Sequence, residues 1–295
     1  MSVTIKGTIY LLGDAILDNF YWLTDKKDLR RELEGLQFNV NNYAVDETRV
    51  EDMINGIKPN HLYTSSRSYP YFTEIDGKLY QLKMLAQNRN GIFSSIYNEI
   101  GVRAIGLRSP LTGVQPDLPR GGIGQSSSLF GDTETREDMV ILSIGGNNIK
   151  AKLMNIVFGI DSLMNAILTK KFIDDYDKLI ATIKESCSRI VIVSVYLPYL
   201  GSESSYSMYA NLAKPMMARW HEFLDKLARK HNVPIFDLNR TFDNQNKLHY
   251  DSTDIHASNL SNKCMAQCIS YIYDNYDGYH TYYAPGCDIT KIQII

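Results

Sequence analysis

The sequence predicts a doubly wound α/β domain, with a five-stranded, mostly parallel sheet and helices on both faces. Three observations carry this expectation. Short, nearly continuous apolar runs recur along the chain, as strands buried on both faces require. Stretches with apolar residues at helical spacing alternate with them, and glycine or polar turns close several of the strands.

Taken in order, Ile9 to Leu12 is the first apolar run, broken by Gly13-Asp14, and Ile16 to Leu33 has helical spacing. Phe38 to Val45 reads as the second strand, with a short helix near Val50 to Ile57. Met139 to Ile144 forms a third strand that stops at Gly145-Gly146. Helical patterns from Ser162 to Lys184 lead into the fourth strand, Arg189 to Val195, the β-branched run with the clearest signal. A long helix ending near Lys230 precedes the fifth strand, Val233 to Leu238, and a last helix is expected over Asn259 to Tyr273. In such a sheet, ligands bind beyond the carboxyl ends of the strands. Those ends carry Gly13-Asp14-Ala15, Val45-Asp46-Glu47, Gly145-Gly146-Asn147-Asn148 and the loop after Leu238.

Between Lys58 and Glu137 the alternation lapses around Pro110, Pro116, Pro119 and a glycine-serine stretch from Gly121 to Ser128. About 80 residues far exceeds an ordinary connection, so the chain is expected to be one domain, 1–295, with an insertion or cap over 58–137. Composition narrows the function classes. Lys and Arg total 31 against 33 Asp and Glu, with no long run of one sign, so the basic stripe that phosphate binding needs is missing and nucleic acid is not an expected partner. The most apolar run, Ile190 to Leu200, is far shorter than the roughly 20 residues that cross a bilayer, so no integral membrane association is expected. The first residues lack the pattern of a cleavable signal peptide. The expected location is the cytoplasm, or an exported site reached without a cleavable signal. Four cysteines are too few for a disulfide scaffold and fit a reducing compartment.

Four segments carry chemistry, and their order matters more than any one of them. Leu11-Leu12-Gly13-Asp14-Ala15 places a residue where a strand turns into a helix, near free backbone N–H groups that favour developing negative charge. Asn42-Tyr43-Ala44-Val45-Asp46-Glu47 follows the second strand. Gly145-Gly146-Asn147-Asn148 combines two glycines, which let the backbone approach a ligand, with a side-chain amide that can donate to an oxyanion. Asp251-Ser252-Thr253-Asp254-Ile255-His256, just before the last helix, offers an acid and a histidine for base catalysis.

In this order the segments resemble the blocks of the SGNH/GDSL serine hydrolases. The resemblance puts Ala15 at the position of the nucleophilic serine, the N–H groups of Ala15 and Glu47 with the Asn147 amide in the oxyanion hole, and His256 as general base. Asp14, Gly146 and Asn148 would line the site. Glu47 stands where a glycine is usual and Asn148 where an aspartate is usual. The carboxylate is displaced as well, because Thr253 lies three residues before His256. Asp254 is the expected partner, with Asp251 in reserve. The resemblance implies a flavodoxin-like three-layer α/β/α fold, serine acyl-ester or acetyl-ester hydrolysis, and no metal or organic cofactor. It also implies an ester-bearing small molecule, lipid, glycan or modified protein as ligand. With alanine at position 15 the chain is expected to be inactive, either as a Ser-to-Ala form of an active esterase, which the retained Asn147 and His256 favour, or as a natural pseudoenzyme that binds an ester or a protein partner.

Other features read as structure. Gly122-x-Gly124-x-x-Ser127 lacks the preceding strand of a dinucleotide site, and Gly124-Gln125-Ser126 lacks the last glycine of a nucleophile elbow. Cys264 and Cys268, with His280 and Cys287, are better read as core thiols and tail residues than as a zinc site. The tyrosines from Tyr271 to Tyr283 are expected to pack the last helix and cover the tail.

Overall fold

The computed structural model describes residues 5–17, 23, 27–42, 44, 48–55, 138–153, 160–207 and 210–295. Contacts divide the chain into two units: Met1–Arg49 with Thr135–Ile295, and Val50–Glu134. In the second unit only the helix Val50–Asn55 is described, and the insertion expected over 58–137 lies outside the described residues.

The first unit is an α/β fold built on one sheet. Its strands are β1 (Gly7–Gly13), β2 (Phe38–Asn42), β3 (Asp138–Ser143), β4 (Ile190–Val193), β5 (Ile235–Phe236), β6 (Thr281–Tyr283) and β7 (Gln293–Ile294), in the order β2-β1-β3-β4-β5-β6-β7. All neighbours pair in parallel except β6 and β7. The sheet therefore has seven strands and not five. The two extra strands come from the tail, where Thr281 and Tyr282 are buried beside β5 with Phe236 opposite Tyr282. Three residues are too few for an alternation to stand out in sequence, and neighbouring backbone, not pattern, makes them a strand.

The helices of this unit are α1 (Leu29–Gly35), then α2 (Gly146–Leu153), α3 (Ile160–Ile167), α4 (Lys170–Ser186), α5 (Ala210–His231), α6 (Leu238–Thr241) and α7 (Asn259–Asp274). Within the helix expected over Ile16 to Leu33, Ile16 and Leu17 lie in a turn, and α1 begins at Leu29, where Asp28 caps it by accepting from the Arg31 N–H at 3.1 Å; residues 18–22 and 24–26 lie outside the described residues. β2 stops at Asn42, before the expected Val45, because the Asn42 amide oxygen accepts from the Ala44 N–H at 3.0 Å and turns the chain.

Parallel strands need cover on both faces. On one face Ile9, Leu11, Met139, Ile141, Val191 and Val193 meet Leu29 and Leu33 of α1 and Met265, Ile269 and Ile272 of α7. On the other face α4 and α5 pack through Phe172, Tyr176, Trp220 and Phe223, and the Tyr176 hydroxyl donates to the Ile144 carbonyl at 3.4 Å. With both faces covered, the C-terminal edge is where polar chemistry can collect. In the tail, Arg189 stacks on Tyr273 and Tyr276, with its guanidinium carbon 4.3 and 5.1 Å from the ring centroids. All four cysteines are free thiols, and His280 pairs with Asp277. Among the described residues no group of three or more His, Cys, Asp or Glu is arranged to hold a metal, and no helix is long and apolar enough to cross a membrane.

Two glycines separate constraint from freedom. Gly13 has φ +138°, and a Cβ there would lie 1.6 Å from the Ser143 carbonyl oxygen, whereas a Cβ on Gly35 would meet open space. Gly13→Ala should cost at least ~3 kcal/mol in urea unfolding through strain and forced backbone displacement. Gly35→Ala should instead stabilise by about 0.5–1 kcal/mol, as expected inside a helix.

Candidate active site

At the end of β1, the Asp14 N–H donates to the Ser143 carbonyl at 3.0 Å, tying the turn to β3. The buried Asp14 carboxylate accepts from the Ile16 N–H at 3.2 Å, and the Leu17 N–H donates to the Asp14 carbonyl at 3.0 Å. This tight turn presents Ala15, partly buried, at the sheet edge. The Ala15 N–H has no hydrogen-bond acceptor among the described residues.

The end of β3 is shaped to fit against it. Gly145 has φ +113°, and a Cβ there would lie 2.5 Å from the Trp220 ring. At Gly146 a Cβ would meet the Val195 side chain at 2.9 Å and the Asp14 carboxylate at 3.4 Å. Bare backbone at both positions lets α2 start beside Asp14. Asn147, in the first turn of α2, donates from Nδ2 to the Thr48 carbonyl at 3.1 Å, which orients the amide and leaves it a second hydrogen. Asn148 is partly exposed beside it. Glu47 lies outside the described residues.

The histidine loop reaches the same edge through the segment that follows β4. The Tyr199 N–H donates to the Asp254 carbonyl at 2.8 Å and the Tyr250 hydroxyl to the Leu197 carbonyl at 2.9 Å. A bridge between Tyr250 and Ala257 closes the loop, and the Asp251 N–H donates to the His256 carbonyl at 2.9 Å. Ser258 then caps α7. Tyr196, which follows β4, packs its ring against Phe242 and Tyr250. Its pKa is pushed well up, first by burial, then by Tyr250 and by the negative charges of Asp251 and Asp14, against the opposing pull of a hydrogen bond from the Ala257 N–H.

Within the loop the two acids part company. Asp254, the partner expected for His256, takes a left-handed backbone conformation (φ 64°) and its carboxylate pairs with Lys247. Asp251 is the acid beside the histidine. Its Oδ1 accepts from both the N–H and the hydroxyl of Thr253, at 2.8 and 2.5 Å, and its Oδ2 lies 3.8 Å from His256 Nδ1. Thr253 Oγ1 lies 2.8 Å from that same Nδ1. The Asp251 and His256 side chains are only 6% and 7% exposed, so their interaction is little weakened by solvent. Sequence reasoning noted Thr253 only as the wrong residue in the acid's place and did not single out Tyr196. The Asp-x-Thr-x-x-His spacing was the available signal for the first; for the second there was none, because Tyr196 meets Phe242 and Tyr250 only once the sheet and the loop have formed.

Residues 98–263, more than half of the chain, match the GDSL-like Lipase/Acylhydrolase family. The chain belongs to this family. The matched segment contains Asn147 and His256 but not Ala15. Solved structures similar to this GDSL-like chain include the lipase Lip_vut3 from a goat rumen metagenome, with TM-score 0.48 and 10% identity over 91% of this chain and 97% of that one. The acetyl xylan esterase AlAXEase aligns with TM-score 0.47 and 11% identity over 92% and 100% of the two chains. An acetyl xylan esterase from Geobacillus stearothermophilus aligns with TM-score 0.47 and 11% identity over 92% and 97%. A search of curated proteins finds no significant match.

Burial raises the Asp251 pKa above the ordinary carboxylate value, against the opposing pull of the Thr253 hydrogen bonds. A carboxyl whose folded pKa is raised contributes stability that is present at low pH and lost as pH climbs through the folded value. Asp251→Asn should therefore unfold at the same or a higher temperature than the parent at neutral pH. The difference should vanish below roughly pH 4, where both carry a neutral side chain, and thermal unfolding across pH checks this.

Proposed function

We propose that this GDSL-like chain is the framework of a hydrolase that cleaves acyl or acetyl esters through an acyl-enzyme on residue 15, held inactive by Ala15. The observation that carries the reading is the buried His256, supported by Asp251 and Thr253 and brought by the Leu197–Tyr199 segment to the sheet edge that also bears Ala15 and Asn147. A base kept buried with a carboxylate behind it has a use if a hydroxyl stands at position 15. In the reaction of a serine at that position, His256 takes the hydroxyl proton as oxygen attacks the ester carbonyl. The tetrahedral oxyanion is then held by the backbone N–H of residue 15, the Asn147 amide and, as the family resemblance suggests, the N–H of Glu47. His256 returns the proton to the leaving alkoxide, and water repeats the sequence to release the acid. Asp251, not Asp254, is the carboxylate assigned to His256, because Asp254 is committed to Lys247.

The ligand class is an ester carried by a small molecule, lipid, glycan or modified protein. Free thiols at all four cysteines support a reducing compartment such as the cytoplasm.

Ala15→Ser should yield turnover of short p-nitrophenyl esters and covalent labelling by a fluorophosphonate probe. In that background His256→Ala should lower kcat by ~10³-fold or more, and Asn147→Ala by ~10²–10³-fold. A folded Ala15→Ser protein that neither turns over nor labels would overturn the hydrolase reading and favour an ester-binding protein without catalysis.

A further inference from the structure

We propose that Thr253 is a positioning residue that stands between Asp251 and His256 and sets the tautomer of the imidazole. The consequence for catalysis rests on the hydrolase reading; the tautomer itself does not.

The argument is a count of hydrogens. Thr253 Oγ1 carries one hydrogen, and two groups within bonding distance could take it, Asp251 Oδ1 at 2.5 Å and His256 Nδ1 at 2.8 Å; the N–H groups of Ile255 and His256, both at 3.4 Å, can only donate to it. The carboxylate oxygen already accepts the Thr253 N–H at 2.8 Å and acts as an acceptor only, so the hydroxyl hydrogen goes to Asp251. The second contact can then be a hydrogen bond only if the hydrogen sits on Nδ1. Thr253 Oγ1 thus accepts from His256 Nδ1–H, and the lone pair of the neutral ring is at Nε2, the nitrogen a general base needs. Direct control by Asp251 is ruled out by distance, since 3.8 Å from Oδ2 to Nδ1 is too long for a hydrogen bond. That oxygen is buried and has no hydrogen-bond partner among the described residues, so its effect on the ring at 3.8 Å is through charge.

The proton inventory during acyl transfer is simple. The proton of a serine at position 15 moves to Nε2 and later to the leaving alkoxide, while Nδ1 and Thr253 keep their own hydrogens and Asp251 stays ionised. A hydroxyl is a weaker acceptor than a carboxylate, so the imidazolium gains less from its immediate partner here than from a directly bonded acid. The nearby Asp251 charge supplies part of the difference.

The tautomer can be read without turnover, in the Ala15 chain as it stands. Long-range proton–nitrogen NMR of the histidine rings, with His256 identified by its loss in His256→Ala, should show Nδ1 protonated and Nε2 bare at a pH where the ring is neutral. Thr253→Ser should keep that pattern. Thr253→Val should shift the population toward the Nε2–H form that an unconstrained imidazole favours. A predominant Nε2–H form in the parent chain, or an unchanged tautomer in folded Thr253→Val, would overturn the proposal. If the valine variant does not fold, the parent and serine spectra still decide it. In the Ala15→Ser background, Thr253→Val should lower kcat by ~10²–10⁴-fold with little change in KM, and Thr253→Ser should keep most of the activity. An Ala15→Ser protein that is inactive with the Nδ1–H tautomer intact would overturn the hydrolase reading and leave the positioning role standing.

Discussion

The backbone of Gly13 lies so close to the Ser143 carbonyl that no side chain fits between them, and the rest of the site depends on that contact. It locks the end of β1 to the end of β3, fixing Asp14-Ala15 relative to Gly145-Gly146-Asn147. The second glycine pair continues the logic. Gly145 clears the Trp220 ring and Gly146 clears the Val195 side chain with the Asp14 carboxylate next to it, so the end of β3 can settle against its neighbours at this edge. This geometry is available because both faces of the sheet are already covered by helices, which leaves the strand ends to present polar groups.

The histidine loop is attached by a different device. It is held to residues 197–199, beyond β4, by the Tyr199 N–H and the Tyr250 hydroxyl, with the Tyr250 ring packed against Tyr196, Tyr199 and Phe242. Through them the buried charge of Asp251 is brought next to His256. Burial without a full set of partners makes that carboxylate costly in the ionised form, as its raised pKa reflects. Such a residue is better explained by what it does to a neighbouring imidazole than by what it adds to the fold.

The candidate site was legible in proportion to how local its residues are. Gly13-Asp14-Ala15 and Gly145-Gly146-Asn147 are contiguous, each closes an apolar strand, and the structure places both at strand ends. The choice between Asp254 and Asp251 was not legible by spacing. Asp254 is nearer to His256 in sequence, but its left-handed backbone turns it to Lys247, whereas Asp251 is returned to the histidine by the closure of Tyr250 on Ala257. Strand number followed the same rule. β1, β3 and β4 each carry a continuous apolar run, while β6 exists because β5 offers it a hydrogen-bonding edge.

By itself the sequence determined the α/β class, the covered parallel sheet, the strand-end turns and the identity of the residue at position 15, because each of these is set by periodicity or by neighbours along the chain. Tertiary structure alone decided which acid lies beside His256, that Thr253 contacts both, that Tyr196 packs on Phe242 and Tyr250, and that the tail adds two strands. The first two depend on the backbone directions taken within the 251–256 loop, the others on distances between segments far apart in the chain, and both are set only when the sheet and its loops have closed.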